Sequence, residues 1–596
     1  MSNCAGGPQR SIRRLARLRR MASACAALVA LVSGAAAAAD PRPPLHVFVL
    51  AQDGSRRSYD EAVAVACIQG VVNRDSPDLY VLSKGDEHPR FWLDVLSSGG
   101  RWLQGRPLEP VADIDALVRL AGARLKGAVI WDPRVPATLN VATTIAGVED
   151  AVVLSPELAD EELGAWGLRV IRDLRGMFTG AETGSSKDDV YRWAVREYLA
   201  KGRCSSHRLC LFEDSFGTRE RGNIRYAVTR DWAVCNRSFV FDLSPWGDEA
   251  PADDPGQRPG LDLETYRAIL GATERNAAGR QMTELTGFFS FKKYSNVPGH
   301  RSAHEPVPTE WETVWVITPY NCYQNTVSSD CYNQSLHSQA PRAPLRQHWA
   351  TRSPALGRKA YLCILMADYD SSTPLYEFLP KNFHKPGCGS LPLAWGLNPN
   401  LLETYPDLIA YFYAMASPED TFTSDASAAG YFNPSRVPPR NMPLLVEHCR
   451  RFFREADMDI APMVLDWCQP TPAVLDAFAR FSPAGFGTII YDFHSGTGRP
   501  ARTQVWRGMP VTELINDAGD AFSSAERTAD EMAGAIKGRG AGAPGSYFFR
   551  IVWASTGGIE EAVGLLRRRL PALDIEVLDP HAFFGLLKAS QPPGPP

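Results

Sequence analysis

Apolar residues in this chain fall in short blocks with two alternating periods. His46–Ala51, Leu79–Leu82, Ala128–Trp131 and Ala151–Leu154 are compact β-branched or aliphatic runs and read as buried strands. Residues 88–97, 111–125 and 137–147 carry the longer helical period between them. Ser58 with Glu61 forms a capping box for a helix through 62–72, Asn73 closes it, and Asp75-Ser76-Pro77 turns the chain into the next strand. An amphipathic helix over 187–200 carries Tyr191, Trp193 and Tyr198, and Leu209–Phe212 and Phe239–Leu243 continue the strand pattern. This alternation predicts mainly parallel sheets covered by helices on both faces.

Residues 247–260 are rich in Asp, Pro and Gly without periodicity, which marks a surface loop or a domain boundary. The next region, 261–355, holds strand-like Val314–Ile317 and an aromatic, Asn-rich loop at 319–334. From 356 the alternation resumes, with strands at Tyr361–Met366, Leu391–Trp395, Ile460–Leu465, Thr488–Tyr491, Phe548–Trp553 and Ile575–Leu578. Strands in series with helices between them predict a β/α barrel, complete or irregular, with an open doubly wound sheet as the alternative. The expected architecture is therefore multi-domain α/β. It comprises a targeting segment (1–39), an N-terminal α/β region of two subdomains (40–246), a third subdomain (261–355) and a barrel-like domain (356–590). Lys537–Gly545 reads as a Gly-rich loop and the tail beyond Ser590 as Pro/Gly-rich and unstructured.

Composition sharpens this picture at the N-terminus. Six Arg between Arg10 and Arg20, an Ala-rich apolar run from Met21, and Ala37-Ala38-Ala39 before Asp40 have the layout of a bacterial secretory signal cleaved after Ala39. The expected location is secreted or periplasmic, with a retained anchor as the alternative; Arg13-Arg14 leaves the twin-arginine route open. Loss of the six Arg takes the formal net charge from −4 to −10, which disfavours nucleic acid and anionic membrane as partners. No later run is long and apolar enough for membrane insertion. Of the cysteines, Cys204/Cys210 and Cys322/Cys331 are spaced to allow local disulfides, whereas Cys67, Cys363 and Cys449 read as small buried apolar residues. No CxxC or HExxH occurs, and no metal or other cofactor is expected.

Several words in the chain go beyond pattern. Residues 62–74 read AVAVACIQGVVNR, 139–147 LNVATTIAG, 231–243 DWAVCNRSFVFDL, 333–338 NQSLHS, 391–399 LPLAWGLNP and 427–434 SAAGYFNP. In order and over nearly the whole chain past the leader, this set resembles the GxGYxYP family of secreted proteins assigned to glycoside hydrolysis. The naming motif keeps Gly430, Tyr431 and Pro434, with Ala428 for its first Gly and Asn433 for its last Tyr. The family's DGDN stretch stands as Asp368-Tyr369-Asp370-Ser371. The resemblance implies a carbohydrate substrate.

In β/α barrels the chemistry sits just past the C-terminal ends of the strands. That rule selects Asp368 and Asp370 after 361–366, Asp466 and Trp467 after 460–465, and Asp492 and His494 after 488–491. Glycoside hydrolysis needs one carboxylic acid to protonate the leaving oxygen and one carboxylate as nucleophile or base, so Asp368, Asp370, Asp466 and Asp492 are the candidate catalytic acids. Trp395, Trp467, Phe432 and Tyr431 offer flat faces for a sugar ring, with Gly430 and His494 completing the candidate binding set. Each has a plainer reading: helix caps for the acids, core for Trp395, a loop imidazole for His494. Two further functions fit the same residues. Asp368, Asp370 and His494 could hold a divalent metal for polysaccharide deacetylation, or the protein could bind glycan at the cell envelope without catalysis.

Overall fold

The protein is described by a computed structural model covering residues 42–290, 293–294, 306–326, 331–348, 356–383, 390–463, 468–492, 497–515, 518–519, 523–539 and 545–591. Residues 1–39, read above as a targeting segment, lie outside these residues. Three small parallel sheets precede the large one. The first has order β2-β1-β3 (β1 Leu45–Leu50, β2 Leu79–Ser83, β3 Leu108–Val111), the second β5-β4-β6 (β4 Gly127–Ile130, β5 Ala151–Leu154, β6 Val170–Asp173). The third has order β10-β9-β7-β8 (β7 Arg208–Leu211, β8 Phe239–Phe241, β9 Thr283–Gly287, β10 Cys322–Asn325). β7 and β8 thus share a sheet with β9 and β10, so residues 247–260 form a loop within one unit and not the boundary expected at 246/261.

The helix Arg56–Val72 explains its own spelling. It begins one turn before the expected cap: Ser55, in extended conformation, accepts the amide of Ser58 at 3.1 Å. At its other end Asn73 accepts the amides of Asp78 and Leu79 and donates to the Leu79 carbonyl, tying the helix to β2. Gly70 lets the helix Arg230–Cys235 cross it: a Cβ there would lie 2.6 Å from the Asp231 carbonyl oxygen. Asn333 binds the Val81 amide (2.7 Å) and carbonyl (2.9 Å), acting as a one-residue strand beside β2. Val314–Ile317, expected as a strand, is the last turn of the helix Pro306–Ile317; a four-residue apolar run has no period of its own to tell the two apart.

The C-terminal region forms the large sheet. Its parallel strands are β11 (Lys359–Ala367), β12 (Leu393–Gly396), β13 (Asp420–Thr423), β14 (Ile460–Met463), β15 (Gly485–Thr488), β19 (Met509–Ile515) and β20 (Gly545–Val552). The order β13-β12-β11-β20-β19-β15-β14 follows the chain around a circle, closed except between β13 and β14, which among the described residues share no ladder. This is a nearly closed parallel barrel. β16 (Ile490–Asp492) and β17 (Thr497–Arg499) form a separate hairpin, and β18 (Gln504–Trp506) pairs antiparallel with β19. The expected strand 488–491 therefore merges the end of β15 with the start of that hairpin. β21 (Asp574–Val577) pairs with Lys359–Leu362 of β11, on the flank where β12 pairs higher up with Leu365 and Met366.

The barrel interior is packed. Cys363, Leu365, Ala367, Ala394, Ile460, Leu514 and Phe548 point into it, and Phe583 and Phe584 of the helix Pro580–Ser590 plug its base. Gly485 and Gly487 make room for those rings: a Cβ at either would come within 2.6 Å of Phe584 or Phe548. Cys204, Cys210 and Cys322 are buried thiols, so neither of the local disulfides that the spacing allows is formed, and Cys67, Cys363 and Cys449 are buried as well. Among the described residues no helix is long and apolar enough to cross a membrane.

Candidate active site

At the C-terminal mouth of the barrel three carboxylates converge. Asp368 and Asp370 follow β11, and Asp425 follows β13; one carboxylate oxygen of each lies within 4.8 Å of those of the other two. Strand alternation supplies the cation. Phe548 faces the barrel interior, so Arg550 two residues on faces it as well, one layer higher. Its guanidinium ion-pairs with Asp368 and, at 3.2 Å through Nε, with Asp425. Gly396, two residues after inward-facing Ala394, leaves the space Asp425 fills: a Cβ there would sit 2.6 Å from the Asp425 carboxylate. The Asp368 amide donates to Asp425, and the Asp425 amide donates to Asn398 Oδ1 at 3.2 Å.

The backbone is strained where the two central strands end. Asp368 (φ 64°) and Trp553 (φ 50°), just beyond β11 and β20, are both left-handed, and the Trp553 indole donates to the Asp368 carbonyl at 2.7 Å. Non-glycine residues take this conformation at a cost of order 1–3 kcal/mol and concentrate at functional sites.

The two acids of the Asp-x-Asp pair have opposite surroundings. Asp368 is part-exposed and rests on Arg550. Asp370 is buried; Tyr431 donates its hydroxyl to it at 2.9 Å and the Ala426 amide donates at 3.3 Å. Burial, then the charges of Asp425 and Asp368, push the Asp370 carboxyl well above the usual carboxylate range; Arg550 and the Tyr431 hydroxyl oppose this without cancelling it.

The motif loop forms the wall behind Asp370. Tyr431 pairs with Gln324 of β10 through two 2.7 Å backbone hydrogen bonds, so the third sheet braces the barrel mouth. Gly430 has φ 89°, and a Cβ there would lie 2.2 Å from the Tyr323 ring. The family's other two glycine positions are not left-handed here, which is why Ala428 and Tyr369 fit.

The remaining candidates divide. The structure brings Asp368, Asp370, Gly430 and Tyr431 together. Trp395 is not a sugar platform: alternation along β12 turns it outward, where it is fully buried against Phe383 and Tyr369 and donates to Asp420 at 2.8 Å. Phe432 is likewise core. Asp466, Trp467 and His494, and the side chain of Asp492, lie outside the described residues; the Asp492 backbone belongs to the β16–β17 hairpin. Asp425 and Arg550 escaped the sequence reading. Asp425 follows DTFT, too short and polar to announce a strand, and Arg550 sits inside an apolar run, where a charge was itself the available signal.

Fold and cluster together define a β/α-barrel protein with an acidic, arginine-braced site at the barrel mouth, carried beside three small α/β units. It belongs to the GxGYxYP family. Residues 46–119 and 125–202 match the family's first and second N-terminal domains, and 358–588 match the domain described as "GxGYxYP putative glycoside hydrolase C-terminal domain". A crystal structure described as "a putative hydrolase from Bacteroides thetaiotaomicron VPI-5482" shares the fold, with TM-score 0.68 over 93% of this chain and 96% of that one, at 15% identity. A "putative polysaccharide deacetylase from Mycobacterium smegmatis" aligns over 41% of this chain and 95% of its own, at 13% identity and TM-score 0.27, too slight a likeness to bear on the argument. No curated protein matches the chain.

Proposed function

We propose that this protein is a glycoside hydrolase acting on an extracellular or envelope carbohydrate at the barrel mouth, with Asp370 as proton donor and Asp368 as the ionised partner. One observation carries this reading: two acids two residues apart have opposite surroundings, Asp370 buried among like charges that push its carboxyl up and Asp368 part-exposed and ion-paired with Arg550. The family description supports the substrate class. Asp425 is a positioning residue that holds Arg550 and the Asp368 backbone. Tyr431 positions Asp370. Asp466 and Asp492, whose side chains lie outside the described residues, remain candidate acids.

Asp368 and Asp370 each place one carboxylate oxygen within 4.8 Å of the other, close enough for the short carboxyl spacing of retaining enzymes, and on that ground we take Asp368 as the nucleophile to be tested. The test is proton NMR of wild type with a panel of aryl glycosides and envelope polysaccharides. The expected product is first released with the substrate's anomeric configuration; inversion would remove Asp368 as nucleophile. If nothing in the panel is cleaved, the enzyme reading falls, and loss of glycan binding in Tyr431→Ala would put the non-catalytic reading in its place.

A metal-dependent deacetylase is the second reading, favoured by the convergence of three carboxylates. It ranks lower because Arg550 already rests on two of them. Deacetylation abolished by a chelator and restored by a divalent cation would promote it. Export is proposed on the leader alone: mass spectrometry of the secreted or periplasmic protein should show a chain starting at Asp40.

A further inference from the structure

A second hollow, of about 280 Å3, opens where the N-terminal ends of β7, β9 and β10 meet the helix Met442–Glu455. The helix offers one face to it, Leu444, Glu447, His448 and Arg451, spaced for adjacent turns. The size admits one ring-sized molecule, just below the ~300–1,000 Å3 typical of small-molecule sites.

The lining is polar, and its charges cancel. Arg208, Arg280 and Arg451 are matched by Glu284, Glu403 and Glu447. Arg208 binds Glu284 at 2.6 Å and Glu403 at 3.1 Å, and Arg451 binds Glu403 at 2.9 Å. Two side chains are left over at the exposed rim. Arg280 reaches only two backbone carbonyls, at 3.4 and 3.5 Å, and Glu447 has no partner among the described residues. The imidazoles add no charge near neutral pH. Burial, then the Arg208 charge, lowers the His207 pKa, and burial holds His448 at about 4. His448 donates from Nε2 to the Ala429 carbonyl at 2.8 Å, and its ring lies 4.5 Å from that of Tyr323.

We propose that this hollow is a second saccharide-binding site, taking a single neutral sugar unit; the proposal rests on the glycosidase reading for its ligand class. An anion would find no net positive charge here, and an apolar ligand would find Met282, Leu444 and the Tyr323 ring set among charged side chains. A sugar ring needs many donors and acceptors with no net field, and the ion-paired guanidinium and carboxylate groups offer both. The hollow lies directly behind the motif loop, because Tyr323, on its wall, is the ring that Gly430 abuts. Glu284 also reaches the barrel mouth, through Asn325 (3.4 Å) to Ser372 (3.2 Å).

The experiment is saturation-transfer NMR on the full chain carrying Asp368→Asn, so that hydrolysis does not intrude. The probes are glucose, galactose, mannose, xylose and N-acetylglucosamine, with glucuronate and phosphate as charged controls. At least one neutral sugar should bind saturably in the millimolar range. Arg280→Ala and Glu447→Ala, both exposed side chains that the fold does not need, should each weaken it roughly ten-fold, the loss of one good hydrogen bond. Leu444→Trp, which fills the hollow, should abolish it. The proposal is overturned if no neutral sugar binds, if binding survives all three changes, or if glucuronate or phosphate binds more tightly. None of these outcomes touches hydrolysis at the barrel mouth, which is read separately on the unmodified chain.

Discussion

Asp370→Asn should lower turnover by about 10²–10⁴-fold, the range for loss of a general acid, while leaving the protein at least as stable as wild type at pH 7. The two halves of this expectation share one cause. Asp370 sits fully buried between two other acids, and its folded pKa lies above its unfolded value. A group of that kind contributes its full stability below the unfolded carboxylate range and loses it as pH rises toward the folded pKa. Asparagine keeps the volume, can accept the Ala426 amide through Oδ1 and donate through Nδ2 to the Tyr431 hydroxyl oxygen, and cannot ionise. The melting temperature of the variant should therefore fall less than that of wild type between pH 4 and pH 8. Asp368→Asn should cost turnover at least as heavily, and the double variant little more than either single one, because the pair acts as a unit. Wild-type turnover in both single variants would remove this pair from the mechanism.

Arg550→Met should be the most destabilising single change at the mouth, by about 3–5 kcal/mol, the usual cost of taking one partner from a buried ion pair. Arg550 is 7% exposed, and the Asp425 it leaves behind is fully buried. Methionine fills much of the volume, so a lost methylene stack is not the main effect. The loss should be largely recovered in Arg550→Met/Asp425→Asn, which removes the stranded charge together with its partner. Denaturant titration of the four proteins checks this; additive losses in the double variant would mean that the pair is not coupled.

The fold was legible wherever apolar runs were long or bounded by turn residues. β1, β2, β4, β5 and β11 read correctly because each is a buried block between polar turns. β3 (LEPV), β6 (VIRD) and β13 (DTFT) did not, since short, half-polar edge strands carry no period. Missing β13 hid Asp425, because the rule that points to strand ends cannot act on a strand that is not seen. Asp368 and Asp370 were visible because β11 was. Trp395 was placed on the right strand but the wrong face: a rule about strand ends says nothing of which way the last residue points. Asn73 was legible as the residue that closes its helix, but Gly70 and Asn333 only as spelling. Their work is long-range, and no local pattern shows that Asn333 completes β2 from a distant part of the chain.

β21 bears on how the barrel is made. The first barrel strand, β11, finds both its full-length neighbour β20 and its lower neighbour β21 only near the end of the chain. On a ribosome, β11, β12 and β13 would emerge with one edge of β11 unpaired until the C-terminus followed. Each small N-terminal sheet, by contrast, draws its strands from a nearby stretch of sequence and can form early. A truncated chain that stops before Asp574 would expose the lower edge of β11 and lose the aromatic plug of Phe583 and Phe584 together. Such a product would be recognised by its stickiness and protease sensitivity, while the N-terminal units behind it stayed folded.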